Sequence, residues 1–270
     1  MVRQNPISII FCLLLLSGSG GAQNALYRNE FPLGDVTLLD GPFKRARDLN
    51  IKVLLQYDVD RLFATFRKEA GLSKKAELYP NWEGLDGHVA GHYLSAIAMN
   101  YVSVKNEECR KRMEYIISEL RECQEANGKK YPDWGKGYVG GVPNSDAIWS
   151  TFKDGNFKAY RSAWVPWYNV HKIYAGLRDA WLYTGNENAK DIFLKFCDWG
   201  IDITAALSDE QMQSMLDTEH GGINEIFADA YHMTGNIKYL VAAKRFSHRL
   251  LLDSMAAGID NLDNKHANTQ

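Results

Sequence analysis

The feature that most restricts how this chain can fold is a pattern that occurs three times. An aromatic residue stands five positions before an asparagine at Tyr101 and Asn106, Trp181 and Asn186, and Tyr231 and Asn236; in the last two the intervening text contains Thr-Gly. Glycine suits the left-handed residue that ends a helix, and asparagine is a strong N-cap for the next one. Each unit therefore reads as a helical hairpin. The second helices carry apolar residues at helical spacing: Met113, Ile116, Ile117 and Leu120; Ile192, Phe193, Phe196, Cys197, Gly200 and Ile203; Tyr239, Ala243, Phe246 and Leu250. Such hairpins cannot bury their stripes alone and must stack side by side. Solenoids and α/α toroids both satisfy that demand. The uneven spacing, with an insertion of about 40 residues between the first and second units, favours a toroid, because long loops in compact domains are usually functional. The predicted class is all-α, a partial toroid of helical hairpins. Ahead of it, Tyr27 to Gly41 reads as an extended arm and Pro42 to Lys68 as a helix.

The amino-terminal text has another character. Arg3 is followed by an apolar run from Ile7 to Leu16 and then by SGSGGAQNA, the layout of a secretory signal with cleavage near Ala22. The run is too short for a permanent anchor, and no later segment approaches the roughly 20 apolar residues of a membrane helix. The division is thus 1–22 as signal peptide and 23–270 as toroid domain, with the mature chain secreted or periplasmic and no membrane partner after cleavage. A net charge of −2 from 31 basic and 33 acidic residues, without a run of five like charges, leaves no footprint for nucleic acid. Cys109 and Cys123 fall on one predicted helix about 21 Å apart, beyond disulfide reach. Together with Cys197 they lie in apolar stripes and read as buried thiols.

The first helices begin at WEGLDGHVAGH, WYNVHK and EHGGINE. Hairpins stacked in one sense put all those beginnings on one rim, gathering His88, His92, His171, His220, Glu219 and Glu225. Helix N-termini there also offer free N–H groups. The insertion adds Trp134, Trp149, Trp164 and Trp167 with Asp133, Asp146 and Asp154. Flat rings beside carboxylates suit a sugar, whose C–H faces stack while its hydroxyls need directional partners; the alternative is that some of these tryptophans merely cover the insertion. His88 and His92 share a helical face, but HVAGH lacks the glutamate of a zinc protease motif, so no metal is assigned to them. His232 and His248 read as structural or surface residues, and His266 is open between loop and mouth. Glu219, Glu225, Asp86 and Asp146 are available for glycoside hydrolysis, yet nothing selects a pair. Glu225 and Asp229 share one helical face.

The text FPLGDVTLLDGPF, WEGLDGHVAGHYLSA, WVPWYNVHKIYAGLRDAWLYTGN, EHGGINEIFADAYHMTGNIKYLVAAKRFSHRLLLD and DNLDNKHANTQ resembles the catalytic module of glycoside hydrolase family 127, the β-L-arabinofuranosidase-like proteins. The resemblance covers essentially everything after the signal. It implies an (α/α)6 barrel, retaining release of non-reducing terminal β-L-arabinofuranose from arabinose-containing glycans, and a zinc-bound cysteine as nucleophile. His171 in YNVHK and His220 in EHGG match histidines of the family's sugar pocket, which assigns them substrate-binding roles; Glu219, Trp164, Trp167, His92 and Glu225 join them from their places on the rim. Cys109, Cys123 and Cys197 match no zinc ligand or nucleophile of the family. The resemblance places those groups in text beyond Gln270, so zinc is expected in a complete enzyme and no cofactor or metal within this chain. The expected product is a truncated hydrolase, catalytically silent by itself, with helix faces left uncovered. The alternatives are a non-catalytic carbohydrate-binding remnant, or another α/α toroid enzyme such as an uronyl hydrolase or lyase.

Overall fold

A computed structural model describes residues 31–80, 85–219 and 222–263. Among these residues the chain is helical, without a strand. Its helices of eight residues or more are α1 (Pro42–Leu54), α2 (His88–Val104), α3 (Glu107–Lys130), α4 (Pro166–Thr184), α5 (Glu187–Thr204), α6 (Asp209–Thr218), α7 (Ile223–Thr234), α8 (Ile237–Arg245) and α9 (Arg249–Ala256).

The repeated pattern builds three hairpins, α2/α3, α4/α5 and α7/α8, and each part of it has one job. The aromatic residue supplies the carbonyl that closes the first helix: Tyr101 accepts from Lys105 N–H at 2.7 Å, Trp181 from Gly185 at 2.9 Å and Tyr231 from Gly235 at 2.7 Å. Lys105, Gly185 and Gly235 are left-handed, with φ of 53°, 70° and 71°. The asparagine side chain then accepts from the first turn of the next helix, Asn106 from Glu108 and Cys109, Asn186 from Ala189, Asn236 from Lys238. Lys105 adopts the left-handed turn with a Cβ, at a cost of about 1 kcal/mol relative to glycine.

The first helices lie side by side and run the same way. Gly91 of α2 meets the Lys172 backbone of α4, and a Cβ on Gly176 would come within 2.7 Å of the Gly91 carbonyl oxygen. Contacts further along α4 pair His171 with Glu225 and Arg178 with Asp229 of α7. Matching order on all three helices means that their beginnings share one end. The second helices form the other layer, with α3 tied to α5 through Arg121, whose guanidinium meets Asp191 at 2.9 Å. Cys109, Cys123 and Cys197 are buried and free on these helices.

Two expected helices are broken. Residues Pro42 to Lys68 do not form one rod: α1 ends at Leu54, and Asp58 caps a new turn, Val59–Leu62, by accepting from Asp60 and Arg61 N–H. A separate short helix, Ala64–Glu69, follows. Likewise α8 stops at Arg245, and α9 starts after His248, which occupies the N-cap position and binds Asp217 at 2.8 Å. Leu250 thereby leaves the stripe and is exposed, unlike Tyr239, Ala243 and Phe246. Helix α6 starts with a capping box between Ser208 and Gln211. Apolar side chains stand exposed on α1 (Phe43, Leu49, Val53), on α8 (Ile237, Val241) and on α9 (Leu252, Met255). The extended arm contains one tight turn at Leu33–Asp35 and continues extended at Val36.

The insertion is a core element. Tyr138, Trp149, Phe152 and Tyr160 are fully buried; Tyr160 packs on Phe152, and the other three meet Trp167, Phe196 and Trp199 of the second hairpin in edge-to-face and tilted contacts. Trp134 and Trp199 are fastened at their polar edges, Trp134 Nε1 donating to Asp146 at 2.9 Å and Trp199 Nε1 to the Trp134 carbonyl at 2.9 Å. Buried indoles need such partners, and the protein supplies them to these two, while Trp149 Nε1 is buried without one among the described residues.

Candidate functional site

At the shared end of α2, α4 and α7 the structure brings together His88, His92, Tyr168, His171, Lys172 and Glu225. His171 is 7% exposed. Its Nδ1 lies 3.1 Å from Lys172 Nζ and its Nε2 lies 3.8 Å from Glu225 Oε2, just outside hydrogen-bond distance. Gly222, left-handed at φ 78°, passes over the ring; a Cβ there would come within 3.3 Å of Nε2. Burial pushes the His171 pKa down, with Glu225 opposing.

Glu225 is the outward member of a charged cluster. Arg178, two helical turns after His171, is buried and binds Glu225 Oε1 at 3.0 Å, Asp179 at 3.0 Å and Asp229. Burial works against the guanidinium's charge, but Asp179, Asp229 and Glu225 more than offset it and hold its pKa above the ordinary value. Asp179 and Asp229 are raised by burial, whereas His171 first and then Arg178 draw Glu225 down to about 2. Glu225 is therefore a fixed anion, with a side chain 58% exposed at the mouth.

Lys172 is half-buried, sits over the Tyr168 ring at 4.5 Å, and has its pKa lowered by burial. His92 faces solvent one turn from His88, ring centroids 6.2 Å apart; burial of its base and then Lys172 lower its pKa. His88 donates from Nδ1 to the Leu85 carbonyl at 2.6 Å, and its ring lies 5.9 Å from Tyr168.

Two expected site residues are corrected. The Trp167 ring is 1% exposed, packed on Trp149, Phe152, Trp199 and Phe246, with Nε1 directed at Met215 Sδ. It cannot stack on a ligand. Glu219 is buried, and its carboxylate accepts from the backbone N–H of Trp167 and Tyr168 at the start of α4, with Tyr160 O–H at 3.4 Å. This is a carboxyl group capping a helix N-terminus from 52 residues away. Burial raises the Glu219 pKa to about 7 in spite of those bonds. Of the insertion's four tryptophans only Trp164 is open, at 60% exposure. His220, the other histidine assigned to the pocket, lies outside the described residues, as do Trp82 and His266.

The sequence reading missed Lys172, Arg178 and Tyr168. Arg178 carried a signal: a basic residue within the apolar run of α4, seven positions after His171 and hence on nearly the same face.

Parallel inner helices with a polar mouth at one end and an outer layer behind define three successive hairpins of an α/α toroid. The profile described as "Beta-L-arabinofuranosidase, GH127 catalytic domain" matches residues 35–270. The chain belongs to that family. A similar solved structure is the crystal structure of a GH127 β-L-arabinofuranosidase from Geobacillus stearothermophilus T6, with 17% identity and a TM-score of 0.52. The match covers 85% of this chain and 36% of that one, so the present chain spans about a third of its length. No curated protein matches the chain.

Proposed function

We propose that this chain serves the release of terminal β-L-arabinofuranose from glycans by a retaining mechanism, and that its described residues hold the sugar. The observation that carries the reading is the His171–Glu225 pair at the shared end of the inner helices in a family 127 chain. A sugar hydroxyl within about 2.8 Å of both His171 Nε2 and Glu225 Oε2 donates to the carboxylate and accepts from the imidazole. His92 on that rim and the exposed Trp164, two residues before α4, are the polar and apolar candidates for the two halves of a sugar site.

The zinc and thiolate chemistry implied by the family does not fit the residues described. Cys109, Cys123 and Cys197 sit in the apolar layer of α3 and α5, and burial raises each thiol, Cys123 to about 12. Among the described residues no group of three or more His, Cys, Asp or Glu could hold a metal ion. No bond-breaking step is therefore assigned to them. A second reading is sugar binding without hydrolysis. Family membership favours both readings over an uronyl hydrolase or lyase.

Titration of the chain with methyl β-L-arabinofuranoside, followed by NMR, tests the sugar site: wild type is expected to show shifts at the rim that His171→Ala abolishes. No response in wild type sinks the reading. Turnover of an aryl β-L-arabinofuranoside by the same protein would eliminate the binding-only alternative. The leader-like text through Ala22 supports export, which predicts a mature amino terminus near Gln23; retention of Met1 on secreted material argues against it. Among the described residues no helix is long and apolar enough to cross a membrane.

A further inference from the structure

The imidazole of His171 has two distinct surroundings. Lys172 Nζ stands 3.1 Å from Nδ1, and Glu225 Oε2 stands 3.8 Å from Nε2. An ammonium has three donors and no acceptor, so a hydrogen bond between it and an imidazole nitrogen requires a lone pair on that nitrogen. Burial works against the Lys172 charge, whereas Glu225 and the Tyr168 ring beneath Lys172, 4.5 Å from Nζ, favour the ammonium. Nδ1 must then accept, which leaves the ring proton on Nε2.

We propose that Lys172 is a positioning residue that holds His171 as the neutral Nε2–H tautomer, aiming one donor at Glu225 and at whatever oxygen enters between them. The other groups around the ring agree. Arg178 on the same helix and His92 on α2 add positive or neutral neighbours, while Glu225 on α7 is the anion nearest to Nε2. Asp179 and Asp229 are both engaged by Arg178. Nε2 is buried without a hydrogen-bond partner among the described residues, so its proton is not spent on a protein group. The opposite tautomer would turn Nδ1–H against the ammonium and leave two acceptors, Nε2 and Glu225, facing each other.

The last step, use of this donor for a sugar hydroxyl, rests on the proposed function; the tautomer does not. Long-range 1H–15N NMR on the full chain without ligand separates them. Wild type is expected to show the neutral Nε2–H form near pH 8. Lys172→Met should give a mixture of tautomers and an upward shift of the His171 pKa, because a cation is lost while Glu225 stays, and Lys172→Arg should restore Nε2–H. A predominantly Nδ1–H ring in wild type, or identical spectra for wild type and Lys172→Met, overturns the proposal. If Lys172→Met does not fold, titration of wild type upward in pH serves instead, since loss of the ammonium proton should release the tautomer preference; a preference unchanged through that titration overturns it as well. With methyl β-L-arabinofuranoside as probe, Lys172→Met is expected to weaken binding about tenfold. A confirmed tautomer in a protein that binds no sugar leaves Lys172 as a positioning residue and removes the sugar site alone.

Discussion

The aromatic insertion and the rim of the inner helices contain similar residue types and do opposite things. Between Tyr131 and Trp167 the tryptophans and acidic residues look like the wall of a sugar site, yet Trp134, Trp149 and Trp167 are core, and Asp146 is engaged by an indole. At the rim, His171, Lys172 and Glu225 are held by few bonds and keep a donor and an anion facing one another. The lesson is that residue type does not locate a site; what decides is whether a polar group's partners are already supplied by the protein.

The largest way to test that contrast is to empty the insertion. Trp149→Ala removes a fully buried ring in contact with Trp167 and Trp199 and should cost about 3–5 kcal/mol in urea unfolding. A loss under about 1 kcal/mol would show the insertion to be a cover, not a core.

Glu219 stands between the two regions, and its removal separates capping from ligand binding. Glu219→Ala leaves the Trp167 and Tyr168 N–H groups without their acceptor, a cost of about 1–3 kcal/mol. Its pH signature has a definite sign. Because the folded pKa is raised from 4.5 to about 7, the stabilisation is complete below pH 4.5 and is lost as the pH rises through 7. Glu225 has the opposite sign: lowered from 4.5 to about 2, it stabilises above pH 4.5 and loses that contribution as the pH falls toward 2. Thermal melts between pH 4 and 8 should flatten in Glu219→Gln; an unchanged profile would remove Glu219 from the account.

Smaller effects belong to the turns and to the open ring. Asn186→Ala takes the cap from α5 and should lower stability by about 1 kcal/mol, whereas a neutral result would mean that packing alone sets the start of the helix. Trp164→Ala should stay within about 0.5 kcal/mol of wild type in stability while weakening sugar binding. If it destabilises like Trp149→Ala, the distinction between open and buried tryptophans in this segment fails.

Much of the architecture could be read from the sequence because it is written in local chemistry. The aromatic residue, the left-handed turn and the asparagine cap fall within six residues, so one short window specifies each hairpin. The common direction of the first helices followed from that repeat, and with it the meeting of His171 and Glu225. Breaks at Asp58 and His248 were missed because both lie inside stretches whose apolar spacing continues past them; Asp58 caps a new turn and His248 is tied to Asp217, and neither bond shows in the spacing. Trp167 and Glu219 were misassigned for a related reason. Their partners, Trp149 and the start of α4, are distant in sequence, and nothing in the local text says which ring is covered or which carboxylate meets a helix end. Arg178 was visible as an oddity in an apolar stripe, but its three carboxylates come from two helices.

The contact between Gly91 and Gly176 gives the mouth a mechanical character. With backbone resting on backbone, α2 and α4 have a fixed pivot near the rim, and the separation of His92 from His171 follows from that pivot, not from the bulk of the side chains around it. Gly91→Ala would act as a wedge, prying the helices apart and splaying His92 and His171 without altering either. The gauge of the opening is set by two hydrogen atoms in place of two methyl groups.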